Sequence, residues 1–282
     1  MSTMSRSWRD LYQIYGSDER DSNINLSAQG IVLGFSTGAF VIYFNALTIY
    51  LTRSFPLLPV QVWSLLVGFV VGLTALMCVC FLVTAANLLY SSLILRWRIA
   101  EQMLDMLDWS YVHEVLDVGC GSGILLNAVG LRLKKERAGG GCAVGVDLWL
   151  EGGKKSMSFT LQNASLEIVD EYVTCKTGEP RNLPFEDDHF DAVVSAMCLH
   201  KLSSESGPRS AEACEERLKG LQEIVRVLKP GGKAVIWDLC HVNEYAVKLK
   251  DLHMSDVKVS SCIPAYMMQS HIVSFKKPGQ MS

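Results

Sequence analysis

No Cys-x-x-Cys pair occurs in the chain, although it carries nine cysteines. Zinc ribbons and dithiol redox sites use that spacing, so neither is expected. The odd count, with Cys78 and Cys80 inside an apolar run, indicates reduced packing cysteines and not a disulfide framework. The six histidines, scattered from His113 to His271, never fall at ligand spacing, and no metal is expected. Basic charge is also scarce. Lys and Arg total 26 against 29 Asp and Glu, a net charge of −3, which gives no broad positive field for a nucleic acid, and no such partner is expected.

Charge of either sign is missing from two long stretches, Ser22 to Thr52 and Ser54 to Leu95. Each holds more than the roughly 20 apolar residues that cross a bilayer. Spanning helices are expected at about residues 26–51 and 62–90, separated by Arg53 and a turn at Phe55-Pro56-Leu57-Leu58-Pro59, where proline stops one helix before the next begins. A cleaved signal peptide fits poorly: the first run is too long, starts too far from Met1 and lacks a small-residue cleavage site. Two core helices of a soluble protein would need a larger surrounding domain than the remaining chain supplies.

Arg6, Arg9 and Arg20 before the first run and Arg96 and Arg98 after the second outnumber the single Arg53 between them, which places both ends in the cytosol. The lipid bilayer is thus an expected partner. Acidic Asp18, Glu19 and Asp21 argue against a mitochondrial presequence, and the organelle stays open. Gly30, Gly34 and Gly38, with Gly68 and Gly72, are small residues at helical spacing that permit close helix approach. In an antiparallel hairpin, Gly38 and Gly72 are the pair expected to lie nearest each other. The same glycines also suit a self-association face, or reflect only how common glycine is in membrane helices.

Beyond Ile99 the pattern changes to short apolar strands alternating with helices, as in βαβ units around a mostly parallel sheet. Glu114 to Val118 is a strand, Gly119-Cys120-Gly121-Ser122-Gly123 follows at once, and a helix runs from Ile124 to about Lys135. Such glycines let a cofactor lie against bare backbone at a helix N-terminus. A second strand, Ala143 to Val146, ends in Asp147, where a carboxylate can accept the two hydroxyls of a ribose, although a helix cap is the plain alternative. A dinucleotide dehydrogenase would need glycine at position 124, which is Ile124.

The string EVLDVGCGSG resembles the first motif of class I S-adenosylmethionine-dependent methyltransferases, and three further segments resemble that family in order. They are Ala143 to Leu148, the stretch Thr177 to Asp191 leading into a strand at Ala192 to Ser195, and Val227 to Leu239 with its Pro230-Gly231-Gly232 turn. The resemblance implies an α/β Rossmann-like class I methyltransferase fold over residues 100–282, strand order 3-2-1-4-5-7-6, with its reversed last hairpin at Val257 to Cys262 and His271 to Phe275. Residues 1–25 would be a cytosolic segment and residues 26–95 a two-helix transmembrane hairpin.

The resemblance also implies S-adenosyl-L-methionine as cofactor, held by Asp117, Gly119, Gly121, Gly123, Asp147, Leu148 and Glu179. Asp147 would take the ribose, Leu148 the adenine face and Glu179 the adenine amino group, where the family usually has aspartate and this chain has Glu179-Pro180. An acceptor would lie beyond the fourth and fifth strands, where His200, Asp238 and His241 are the polar groups to test, with a structural role the default for each and none assigned as catalytic. The Asn/Asp-Pro-Pro-aromatic motif of nucleobase and glutamine methyltransferases is missing after the fourth strand. A membrane anchor points instead to a lipophilic acceptor such as a lipid, sterol or quinone, or to a membrane protein. The rival reading is a degenerate methyltransferase-like scaffold that binds cofactor without turnover.

Overall fold

The computed structural model describes residues 12, 14, 15, 20–136, 140–149, 156–202, 207 and 210–279. Arg6, Arg9, Asp18, Glu19 and most of the expected cytosolic segment lie outside the described residues. The chain divides into two compact units, residues 17–92 and residues 1–16 with 93–282.

The first unit holds α1 (Arg20–Ile42), α2 (Phe44–Ser54) and α3 (Val60–Tyr90). The first uncharged run is therefore broken at Tyr43, whose φ of −95° and ψ of 11° depart from the helical well, although Tyr43 N–H still donates to Ala39 O at 2.9 Å. Helix α3 begins directly after Pro59, which sits extended as its N-cap. Helices α1 and α3 run antiparallel: Gly30 faces Leu82, Gly34 faces Cys78, and Thr37 Oγ1 donates to Thr74 Oγ1 at 3.0 Å. The close approach thus falls at Gly30 and Gly34. Gly38 and Gly72, the pair expected to meet, have open space where a Cβ would stand. Most apolar side chains of both helices face outward, among them Phe35 and Phe69 at 78% and 70% exposure. Two helices, Ile24–Ile42 and the continuous Val60–Asp105, are long and apolar enough to cross a membrane.

The second unit begins at Leu93, within a π-helical turn (Ser91–Leu95) that leads into α4 (Arg96–Asp105). It continues with β1 (Glu114–Val118), α5 (Ile124–Glu136), β2 (Cys142–Asp147), α6 (Met157–Leu166), β3 (Val173–Thr177) and β4 (Phe190–Ala196). A 3-10 turn (Leu199–Lys201), α7 (Ala211–Val227), β5 (Leu228–Leu239), α8 (Val242–Asp251), β6 (Ser255–Val259), β7 (Ile263–Ala265) and β8 (Met268–Lys276) complete it. The sheet order is β3-β2-β1-β4-β5-β8-β6, parallel up to β5, with β8 antiparallel to both neighbours and β7 paired to β8. The short β7 shifts the numbering by one relative to the expected 3-2-1-4-5-7-6.

Period-two alternation sends side chains to two cores. Val115, Val235 and Trp237 pack with α4 and α5 on one face, and Leu116, Val118, Ala234 and Ile236 pack with α7 and α8 on the other. This layering leaves the carboxyl ends of β1, β2, β4 and β5 along one edge, where loops are free of packing demands.

Candidate cofactor and acceptor site

The turn after β1 is built by backbone. Gly119 N–H donates to Val146 O at 2.8 Å, which ties the turn to β2, and Gly119, Gly121 and Gly123 all take positive φ (75°, 52° and 88°) that an L side chain resists. A Cβ at Gly119 would collide with Cys198, whereas Gly121 borders open space. Asp147, at the end of β2, accepts from Gly121 N–H through Oδ2 at 2.8 Å, and its Oδ1 has no hydrogen-bond partner among the described residues. Leu148 beside it is 53% exposed, an apolar side chain on offer.

Asp117 is buried near the end of β1, and neither of its carboxylate oxygens has a hydrogen-bond partner among the described residues. It borders a small cavity, about 20 Å³, also lined by Arg96, Gly119, Ala196 and Trp237. Burial, reinforced by the nearby charge of Asp147, pushes its pKa up to about 8.

The loop is held from below by residues that the sequence reading did not single out. Thr160 Oγ1 donates to Gly121 O at 2.6 Å, Asn163 Nδ2 donates to Ser122 O at 2.9 Å, and both lie on one face of α6. Asn127, completely buried in α5, donates from Nδ2 to the Tyr15 hydroxyl at 3.0 Å, and that hydroxyl donates to Glu167 Oε1 at 3.0 Å. Their i, i+3 spacing on α6 is a signal for Thr160 and Asn163; nothing local marks Tyr15.

Glu179 lies in the loop after β3, ion-paired with Arg181, which also holds Glu216. Its carboxylate is thus engaged by a neighbour two positions away, unlike the partly free Asp147. On the acceptor side, His200 and Asp238 come together while His241 does not join them. His241 Nδ1 instead lies 2.9 Å from Glu244 Oε1, in a pair at the start of α8 that Arg217 completes at 2.9 Å from Glu244 Oε2.

A glycine turn against bare backbone, a half-satisfied carboxylate at the end of β2 and a reversed final strand define the nucleoside-binding α/β fold of class I methyltransferases. Comparison with known proteins narrows this. Residues 116–236 match a family model described as a methyltransferase domain. A ubiquinone/menaquinone biosynthesis C-methyltransferase of Geobacter sulfurreducens is 31% identical over 145 residues, 50% of this chain and 46% of that protein. A tRNA (carboxymethyluridine(34)-5-O)-methyltransferase of Xenopus tropicalis is 30% identical over 146 residues, 52% of this chain and 18% of that one. The chain spans about half or less of the length of these relatives. Among solved structures, the YcgJ protein of Bacillus subtilis has a similar fold, with a TM-score of 0.50 at 16% identity, covering 64% of this chain and 98% of that one. The segment from Leu116 to Ile236 is thus similar to methyltransferase domains in sequence, and the unit that contains it is similar to a solved structure in fold.

The residues present fit the expected S-adenosylmethionine. An unpartnered buried carboxylate, Asp117, suits its ammonium, the open space at Gly121 suits its bulk, and the free Oδ1 of Asp147 suits a ribose hydroxyl.

Proposed function

We propose that this chain is a membrane-anchored S-adenosylmethionine-dependent methyltransferase that acts on a lipophilic acceptor of the quinone type. The observation that carries the reading is the cradle at the ends of β1 and β2, where Gly121 N–H positions Asp147 at 2.8 Å. When bound, S-adenosylmethionine supplies a methyl group on a positively charged sulfur, a good leaving group. The protein's part is to position the acceptor and exclude water. Asp147 would hold the ribose, Leu148 cover the adenine, and Asp117 face the ammonium. Glu179 would reach the adenine amino group only by sharing its carboxylate with Arg181.

Three features support the membrane part. Two long apolar helices have side chains that the protein does not cover, since only 6% of each apolar window is buried. Thr37 and Thr74 bond across the pair, as polar residues do between helices in lipid. Tyr15, before the first apolar helix, hydrogen-bonds within the same compact unit as the domain that follows the second, as two crossings with both ends on one side would require. Arginine distribution makes that side the cytosol. Residues 1–25, 26–95 and 100–282 then serve as cytosolic segment, anchor and methyltransferase domain. The acceptor class is supported by the anchor and by the quinone product in the Geobacter relative's name.

The test is incubation of detergent-solubilised protein with methyl-labelled S-adenosylmethionine and total membrane extract. Label is expected in the organic phase and is expected to disappear with Asp147→Ala. Label confined to water-soluble products would refute the lipophilic acceptor.

A further inference from the structure

We propose that His200 is the general base of the transfer, oriented by Asp238 and Tyr245, and that the acceptor therefore presents an acidic hydroxyl of the phenol or hydroquinone class. The inference rests on the methyltransferase reading above and adds to it the reacting atom of the acceptor.

Asp238, the next-to-last residue of β5, is fully buried, and an ionised carboxylate has about four acceptor positions. All four are used. Oδ2 accepts from the His200 backbone N–H at 2.8 Å and from the Tyr245 hydroxyl at 3.0 Å. Oδ1 accepts from Leu239 N–H at 2.9 Å and faces Nδ1 of the His200 ring. A carboxylate at Nδ1 fixes the tautomer: Nδ1 carries the proton and Nε2 keeps its lone pair. Nε2 has no partner among the described residues, and the side chain is 19% exposed. Backbone and ring of one histidine are thus clamped by one carboxylate, and the atom left over is a base.

The clamp stands where an acceptor must come. Met197 takes a left-handed φ of 57° and donates its N–H to Trp237 O at 2.8 Å, which swings the chain out of β4 and across the end of β5. Cys198 then packs on the Gly119 turn, and His200 follows in the 3-10 turn, so the base and the cofactor loop share a wall. Asp238 also holds the Tyr245 hydroxyl, and Cys198, two positions before His200, lies within the fields of Asp238, Asp147, Lys201 and Asp117. His241, by contrast, has its own carboxylate in Glu244.

In the step, the hydroxyl proton passes to His200 Nε2 as the acceptor oxygen forms its bond to the methyl carbon. The carbon–sulfur bond of the donor breaks with its electron pair left on sulfur. The imidazolium is stabilised by Asp238 and returns its proton to solvent, so no oxidant or further reactant is needed.

The experiment uses full-length detergent-solubilised protein and two probes, decylhydroquinone and its ring-difluorinated analogue, whose hydroxyls are more acidic. S-adenosylhomocysteine binding is measured by calorimetry in parallel. Wild type is expected to form the monomethyl ether of both probes. His200→Gln is expected to lose about 10²–10⁴-fold in kcat on decylhydroquinone and markedly less on the difluorinated probe, with S-adenosylhomocysteine affinity unchanged as the sign that it folds. Asp238→Asn should show the same acidity dependence more weakly. Equal loss on both probes would make His200 a positioning residue and overturn the proposal. Full activity of His200→Gln would also overturn it, as would a wild type that binds S-adenosylhomocysteine yet methylates neither hydroxyl. A wild type that does not bind S-adenosylhomocysteine would overturn the methyltransferase reading itself.

Discussion

Asp117 and Asp147 stand at the carboxyl ends of adjacent strands, one residue before the end of β1 and at the end of β2, yet their surroundings treat them oppositely. Asp147 has a backbone N–H at 2.8 Å, while Asp117 is buried with no hydrogen-bond donor to either oxygen among the described residues. Its folded pKa, about 8, lies above the value of 3.8 in an unfolded chain. Between those values the folded state holds a proton that the unfolded state has released. The stability it contributes is intact below about pH 4 and is lost as the pH rises to about 8. Asp117→Asn removes that penalty. Ligand-free Asp117→Asn should therefore melt several degrees above wild type at pH 8, roughly 2–4 °C per kcal/mol recovered, with the gap closing towards pH 4. In the same protein, S-adenosylmethionine binding should be lost, because the amide, unlike the carboxyl, cannot give up a proton to meet the ammonium with a negative charge. A melting series across pH, with and without ligand, checks both halves.

At the scale of elements, the cofactor loop owes its shape to α6 as much as to its own glycines. Thr160 is completely buried and its hydroxyl holds Gly121 O at 2.6 Å, so Thr160→Val keeps the volume and removes one hydrogen bond. A loss of about 1 kcal/mol, or roughly fivefold in S-adenosylhomocysteine affinity by calorimetry, is expected, with the fold retained. What the sequence disclosed divides along the same line. The β1 turn and Asp147 were legible because their chemistry is local: consecutive glycines after an apolar strand and an acid at the end of the next one. Thr160, Asn163 and Tyr15 were not, since each acts on a partner 39 or more positions away, and only the folded chain brings them there. The pairing of His200 with Asp238, 38 positions apart, was hidden in the same way, although each had been placed at the correct end of its strand. Uncharged length exposed the apolar helices but not the break at Tyr43 or the start of the domain at Leu93, because composition does not register a single off-helix residue or a π turn.

For the whole molecule, the feature that matters most is a small one. Tyr15 is 2% exposed and bridges Asn127 and Glu167, so residues on both sides of the apolar hairpin complete one hydrogen-bonded cluster. Tyr15→Phe leaves Asn127 without that acceptor and should cost about 1–3 kcal/mol, read as a lowered melting temperature. If the apolar helices span a bilayer as proposed, tags at the two termini of vesicle-reconstituted protein should be reached by an impermeant reagent from the same side of the vesicle. Labelling from opposite sides would rule out the two-crossing hairpin.

The Tyr15 contact also sets an order of events during synthesis. The tyrosine leaves the ribosome first, but its partners at positions 127 and 167 are made only after both apolar segments have emerged. On the proposed topology, Tyr15 must therefore wait for its partners on the side where the domain will later fold. A chain that carried its first residues across the bilayer would fold around an empty slot and leave Asn127 and Glu167 without their bridge. On the proposed topology, correct insertion would thereby be recorded in the stability of the finished protein, and a mis-inserted copy would present quality-control proteases with a loosened domain.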